Sequence, residues 1–148
     1  MRSILTLIAL LALLAGCSET TSGVTVEFDE NLEKAIGELA RSDDSKPLKE
    51  LAPGDWTSVR ILTGPASGTR IERELGRPVE LDGDGTYDGD YVQDGNLLVF
   101  QRDGQTVRMV SLGQLAALAE GEYRADVVLQ ARDGAITMTG PDGRPTGR

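Results

Sequence analysis

The spacing of apolar side chains after residue 23 predicts a series of short helices and strands. Over residues 29–41 apolar positions recur every three or four residues, which indicates an amphipathic helix. These positions are Leu32, Ala35, Ile36, Leu39 and Ala40. Asp29 and Glu30 suit the positive N-terminal end of this helix. Residues 42–53 are charged and contain Pro47 and Pro53, so we expect a loop there, with at most one helical turn at residues 48–51.

A strand is predicted over residues 56–62. Thr57, Val59 and Ile61 alternate with polar residues, and this period of two is typical of a half-buried strand. The Gly64-Pro65 pair that follows is a typical turn sequence. We therefore expect the strand to end in a turn at this pair.

A second, short helix is predicted after this turn. Thr69 and Glu72 have the spacing of a capping box, which marks a helix N-terminus. Gly76 can adopt the left-handed conformation at its C-terminus. The helix presents Ile71 and Leu75 on one face, and Pro78 prevents its continuation.

Asp-Gly pairs predict the strand pairing in the second half of the chain. The pairs at residues 94–95, 103–104 and 133–134 lie between apolar or alternating runs, as expected for two-residue hairpin turns with positive φ. We expect a three-stranded meander followed by a separate hairpin. The predicted strands are residues 87–92, 97–101 and 105–110 in the meander, and 127–131 and 135–139 in the hairpin.

A third helix is predicted between the meander and the hairpin. Ser111 and Gln114 again have capping-box spacing, and Gly121 can end the helix. Its inward positions are Leu112, Leu115, Leu118 and Ala119. We expect residues 24–140 to form one α+β domain, in which about three helices pack on one face of a single antiparallel sheet. Residues 141–148 are expected to form a flexible tail.

The N-terminus has the pattern of a bacterial export signal. A positive charge at Arg2 precedes an apolar run over residues 4–15 that only Thr6 interrupts. This run is shorter than the roughly 20 residues that a membrane-spanning helix needs. The segment Leu14-Ala15-Gly16-Cys17 resembles the lipobox of bacterial lipoproteins.

The lipobox resemblance implies how the mature chain would be attached. Cleavage would fall between Gly16 and Cys17, with diacylglycerol on the Cys17 sulfur and an acyl chain on the new amino terminus. The alternative is a signal peptide cut elsewhere near Gly16, with Cys17 unmodified. Residues 17–23 would be the lipidated tether. Because Ser18 rather than Asp follows the cysteine, we expect the periplasmic face of the outer membrane in a diderm cell, and the outer face of the plasma membrane in a monoderm cell.

Composition excludes several classes of activity. The chain has 24 acidic and 15 basic residues, a net charge of −9, no histidine and one cysteine, Cys17. The negative charge opposes nucleic-acid binding. The missing histidine excludes a Ser-His-Asp or Cys-His nucleophile, a His/Cys zinc site and histidine-ligated haem. No other resident cofactor is indicated.

The acidic run over residues 82–90 indicates a candidate calcium site. Calcium prefers several oxygen ligands on a glycine-bent loop. Aligned with an EF-hand loop, the run supplies four ligand positions, which are Asp84, Thr86, Asp88 and Asp90. Gly95 stands where the bidentate Glu belongs, and neither flank has a helical pattern. The other interpretation is a solvated turn leading into a strand.

The aromatic residues allow two interpretations each. Trp56 is interpreted as a core residue, with a partner-binding anchor as the alternative. The tyrosines Tyr87, Tyr91 and Tyr123 could line a groove or pack on a sheet. Residues 56–76 also loosely resemble small uncharacterised envelope lipoproteins with a Trp-Asp-x-Val strand and a Pro-Tyr turn, although Thr57 and Ala66 replace the Asp and Tyr of that pattern. That resemblance implies no particular activity.

The sequence thus predicts a non-enzymatic envelope lipoprotein, a binding or structural module whose partner is another envelope protein. One alternative is a calcium-binding module that uses residues 82–90. Another is a hydrolase of cell-wall glycan that would work with a pair of carboxylates. A binding module predicts a contiguous exposed apolar patch, whereas a hydrolase needs two carboxylates that converge in a concave surface.

Overall fold

The computed structural model describes residues 23–114 and 117–147. It has an α+β fold, as the sequence predicts. The elements in chain order are β1 (Val26–Phe28), α1 (Glu30–Ala40), β2 (Ser45–Pro47), α2 (Leu48–Leu51), β3 (Ser58–Ala66), α3 (Gly68–Leu75), β4 (Thr86–Tyr87), β5 (Asp90–Arg102), β6 (Gln105–Leu112), β7 (Gly121–Arg124), β8 (Val128–Arg132) and β9 (Ala135–Thr139).

The strands form two sheets, so the prediction of a single antiparallel sheet is wrong. The central sheet has the order β1-β6-β5-β3-β7, and β4 pairs with the beginning of β5. In this sheet β1 is parallel to β6, whereas the other named pairs are antiparallel. The smaller sheet is antiparallel and has the order β2-β8-β9. Strands as short as β1 and β2 contain too few residues to show an alternating pattern in the sequence.

The helices lie on both faces of the central sheet, so their predicted placement on one face is wrong. Neighbouring residues of β5 point to opposite faces, and Leu98 and Leu97 belong to different core clusters. On the Leu98 face, α1, α2 and the smaller sheet enclose one cluster. On the Leu97 face, Ile71 of α3 packs with Leu62 and Tyr91.

The first two helices agree with the sequence, and the third differs at its beginning. Helix α1 has Asp29 as its N-cap, and α2 is the predicted single turn. Helix α3 ends at Leu75, and its C-cap Gly76 is left-handed with φ 70°, as predicted. Its N-cap, however, is Ser67, whose hydroxyl accepts a hydrogen bond from the Arg70 amide. The predicted capping box at Thr69 is therefore wrong, because the helix already begins at Gly68.

Two of the three predicted Asp-Gly turns are confirmed. Asp103-Gly104 joins β5 to β6, and Asp133-Gly134 joins β8 to β9, each with positive φ at both residues. The Asp94-Gly95 turn is wrong, because this pair lies inside β5. The hairpin turn is instead Asp88-Gly89, between β4 and β5. The predicted strands 87–92 and 97–101 are consequently replaced by β4 and one long β5.

The predicted turn at Gly64-Pro65 is also wrong, since β3 continues through this pair to Ala66. The strand remains paired with β5, where Gly64 lies opposite Gly95 and Ala66 lies opposite Tyr91. A bulge between these two pairs absorbs the extra residues of β5. Trp56 lies just before β3 rather than within it.

The helix predicted from Ser111 to Gly121 is wrong in its described part. Ser111 and Leu112 extend β6 and pair with Leu97 and Asn96 of β5. Residues 117–120 have no helical structure, and Leu115 lies outside the described residues. The capping-box pattern is local, and here the long-range strand pairing outweighs it.

The signal peptide, the lipobox with Cys17 and most of the tether lie outside the described residues. Within residues 23–114 and 117–147, no helix is long and apolar enough to cross a membrane. At the other end, the Thr146 amide donates to the Met138 carbonyl and Pro145 bridges to Thr139. These contacts place Pro145 and Thr146 beside β9, and the flexibility of residues 141–148 stays a prediction.

Candidate partner-binding surface

The acidic run forms a hairpin beside the first strand of the domain. Strand β4 pairs with the beginning of β5, and Asp88 and Gly89 form the turn with φ 48° and 80°. Before β4, the Asp84 amide donates to the Val26 carbonyl, and the Val26 amide donates to the Asp82 carbonyl, both at 2.8 Å. We call residues 82–92 the acidic hairpin. Its base covers the outer edge of β1.

The predicted calcium ligands contact different parts of the backbone. One Asp84 carboxylate oxygen accepts from the Phe28 amide at 2.8 Å, and one Asp90 oxygen accepts from the Gly68 amide at 2.7 Å. The Thr86 hydroxyl donates to the Gly83 carbonyl at 2.8 Å. Asp88 occupies the turn. In the part of the chain that the structure describes, no three His, Cys, Asp or Glu residues are grouped as a metal site requires, and calcium binding stays a prediction.

The charge of the acidic hairpin is not balanced by basic side chains. Between Arg77 and Arg102 the sequence has no Lys or Arg. The acidic residues in this interval are Glu80, Asp82, Asp84, Asp88, Asp90 and Asp94. The salt bridges found among residues 23–114 and 117–147 all involve carboxylates outside this interval. The surface here therefore has a negative potential.

Exposed apolar side chains lie around the same hairpin. Tyr87 is 75% exposed, Val92 47% and Phe28 43%. Tyr87 lies opposite Asp90, and Val92 comes two residues after Asp90, so Tyr87 and Val92 point to the same face of the hairpin. The Phe28 backbone amide donates a hydrogen bond to Asp84 at the hairpin base. The Phe28 side chain lies on the other face, because Val26, two residues earlier, is buried in the Tyr91 cluster. Single exposed apolar residues are ordinary, whereas a contiguous patch marks an interaction surface. Tyr87 and Val92 are the pair that shares a face here.

The remaining aromatic residues belong to the cores. Trp56 is 3% exposed, which confirms its interpretation as a core residue. Tyr91 and Tyr123 are buried in different clusters, so the three tyrosines do not line one groove. The Tyr91 hydroxyl lies 2.8 Å from the Ser111 hydroxyl, and burial raises the pKa of the Tyr91 phenol.

A small concave site on the α3 side contains two carboxylates, each in an ion pair with an arginine. It has a volume of about 160 Å³ and is lined by Arg60, Arg70, Glu74 and Glu120, among others. Glu120 accepts from the Thr63 amide at 2.6 Å and from Arg70 at 2.7 Å. The Thr63 hydrogen bond, with help from Arg70, lowers the pKa of Glu120. A glycosidase acid needs a raised pKa, so these contacts favour a structural role for Glu120.

A second cavity, of about 430 Å³, is lined by Asn96, Gln114 and Leu118, among other described residues. Asn96 is 2% exposed. Its amide nitrogen donates to the Leu62 and Leu118 carbonyls, and its oxygen accepts from the Leu118 amide. The Asn96 side chain thus fixes the backbone of Leu118, in the segment before β7.

The sequence identified the acidic run but missed the apolar part of this surface. Phe28 lies in a strand too short to be predicted, and the sequence pattern around Val92 predicts a strand but not the exposure of this side chain. The absence of Lys and Arg over residues 78–101 was the signal that could have shown an unbalanced surface. No protein-family model, curated protein or solved structure matches the chain.

Proposed function

We propose that the chain is a lipid-anchored bacterial envelope lipoprotein whose folded domain is a non-enzymatic protein-binding module. The anchor rests on Leu14-Ala15-Gly16-Cys17 after an apolar run, which resembles a lipobox. The binding role rests on one observation, the exposed Tyr87 and Val92 on one face of an acidic hairpin. Each acyl methylene stabilises membrane attachment by about 0.8 kcal/mol, so two or three chains hold a protein firmly.

The anchor is tested by metabolic labelling with an alkyne-tagged fatty acid. We expect the wild-type protein to incorporate the label and to sediment with membranes. Cys17→Ala is expected to lose both properties, while Cys17→Ala retains the same folded domain. Equal labelling of the two proteins would refute the anchor.

The membrane in which the protein resides is tested by one substitution. Lipoproteins with Asp after the modified cysteine tend to remain in the inner membrane, and this chain has Ser18. In a diderm host we expect wild type in the outer-membrane fraction and Ser18→Asp in the inner-membrane fraction. Fractionation on a sucrose gradient measures the change, with Ser22→Asp as a control of equal charge.

The binding role is tested by site-specific photocrosslinking in living cells. A photoreactive phenylalanine analogue is placed at Tyr87, and at Val107 as a control because Val107 is exposed in β6, outside residues 82–92. We expect one protein to be crosslinked reproducibly from position 87, less from 107, and not when Cys17→Ala removes the anchor. Further positions on α1 and α3 extend the search. If no position gives a reproducible crosslink, the protein-binding role is wrong.

A further inference from the structure

The acidic hairpin extends from the end of the central sheet that is remote from the start of the domain. Strand β4 is antiparallel to β5, β5 is antiparallel to β6, and β6 is parallel to β1. Strand β4 therefore runs in the same direction as β1. The described chain enters β1 from Gly23, so the turn at Asp88 lies beyond the far end of β1. The Gly89 side of this turn lies against Gly68 at the start of α3. A tether attached before Gly23 would leave the Tyr87 face of the hairpin accessible to another molecule.

The side chains of the hairpin define the chemistry of a partner. Tyr87 and Val92 provide apolar area on one face, and rigid aromatic side chains are frequent binding anchors. Acidic residues surround them, and none forms a salt bridge within the described residues. A partner must therefore supply positive charge beside apolar side chains.

Three other occupants fit less well. A second copy of this chain would place the same unbalanced negative surface against itself, and like charges oppose such contacts. An anionic lipid surface would be repelled for the same reason. A metal ion alone would leave the exposed Tyr87 and Val92 without a role.

We infer that the tip of the acidic hairpin binds a protein segment rich in Lys or Arg that also carries apolar side chains. This inference rests on the proposed binding function and names the partner chemistry and the surface. In this interaction the Asp88 carboxylate at the turn contacts the positive charge of the partner, and Tyr87 provides the apolar anchor.

The chain offers matched controls for both parts of this surface. Asp103 occupies the same position in another Asp-Gly turn, with φ 51° against 48° for Asp88. Asn tolerates this left-handed conformation, so Asp88→Asn and Asp103→Asn each remove one charge and preserve the turn. Tyr87→Ala is matched by Val107→Ala, since both residues are exposed in strands.

The experiment measures binding of fluorescent peptides to the full-length protein in non-ionic detergent by anisotropy. The probe is a peptide of eight lysines interspersed with four leucines, and the comparison peptide replaces lysine by glutamate. We expect the basic peptide alone to bind. Tyr87→Ala should weaken its binding roughly tenfold and Asp88→Asn about threefold, while Val107→Ala and Asp103→Asn stay within about twofold.

Several results would overturn the inference. These are no binding of the basic peptide, equal weakening by the hairpin and control substitutions, or attachment through Tyr87 to vesicles of phosphatidylglycerol but not to the peptide. The outcome is separate from the proposed function. A reproducible crosslink from α1 together with no peptide binding would retain the binding module and reject this surface.

Discussion

Asn96 illustrates how one buried side chain fixes a segment without regular structure. Its amide group contacts the Leu62 carbonyl and both backbone groups of Leu118. We expect Asn96→Ala to destabilise the protein by about 3 kcal/mol, because it leaves buried backbone groups without partners. Urea unfolding followed by far-UV circular dichroism measures this loss.

A control for this substitution is Asn31→Ala. Asn31 is exposed on α1, and such a change alters the free energy of unfolding by no more than about 0.5 kcal/mol. Equal losses for the two alanine variants would show that the Asn96 hydrogen bonds do not stabilise the fold.

The Asp29 carboxylate both caps α1 and forms an ion pair with Arg108 of β6. It accepts from the Leu32 amide at 2.9 Å and from Arg108 at 2.6 Å. Burial alone would raise the pKa of Asp29, but the Leu32 amide and Arg108 together lower it below the usual value. The charged form is therefore favoured in the folded state.

We expect Asp29→Ala to cost about 1–2 kcal/mol at pH 7. A carboxyl with a lowered folded-state pKa stabilises the fold above its unfolded pKa of about 4. This contribution is lost as the pH falls through the folded pKa. The difference between wild type and Asp29→Ala should thus shrink below about pH 4. Urea unfolding at pH 7 and pH 3 checks this, and Asp29→Asn, which retains a cap without charge, should show little pH dependence of its own.

Glycine has opposite roles in a strand and in a helix of this domain. A side-chain carbon at Gly64 would lie 2.6 Å from the Tyr91 ring, so β3 can pass β5 here only without one. At Gly37 in α1 the same carbon would meet no atom within 4 Å. We expect Gly64→Ala to destabilise by more than about 2 kcal/mol, and Gly37→Ala to stabilise by about 0.5–1 kcal/mol.

Thermal unfolding of the two glycine variants beside wild type tests this difference. Opposite shifts in Tm are expected. A Gly64→Ala protein as stable as wild type would mean that β3 and β5 do not approach each other as closely as the structure has them.

The elements that the sequence predicts well are those whose pattern is local. Helix α1 has a complete apolar stripe and an N-cap, and the 133–134 turn lies between clear alternating runs. The Asp94-Gly95 pair has the same two residues, but its glycine is needed for a different reason. Its glycine, with φ 138°, allows the Leu112 carbonyl to approach closely. Only the pairing of distant strands distinguishes a glycine needed for a turn from one needed for close approach.

At the scale of the whole molecule, the α+β class is readable from the sequence, but the surface is not. Charge is visible in the acidic run, so residues 82–90 could be singled out. The exposure of Tyr87 and the burial of Tyr91, four residues apart, depend on the hairpin and on the β3 pairing. Such pairings join residues that are distant in the sequence and cannot be read from local patterns. The apolar part of the surface could therefore be identified only from the structure.

The calcium hypothesis can be decided on the whole molecule by thermal unfolding. The Asp84 and Asp90 carboxylates each accept a hydrogen bond from a backbone amide. A bound calcium ion would have to compete with these hydrogen bonds. We expect 10 mM calcium to change the Tm by less than about 1 °C relative to magnesium. A site with a Kd of about 1 mM would instead stabilise by about 1.4 kcal/mol, which is a rise of several degrees for a domain of this size.

The double substitution Asp84→Asn with Asp88→Asn gives this measurement its specificity. A rise in Tm that EDTA reverses and that the double variant abolishes would establish the calcium site. A rise that persists in the double variant would indicate general charge screening, because divalent cations also reduce the repulsion within an acidic surface. If calcium has no effect while the basic peptide still requires Asp88, the carboxylates of the hairpin act on a protein partner rather than on a metal ion.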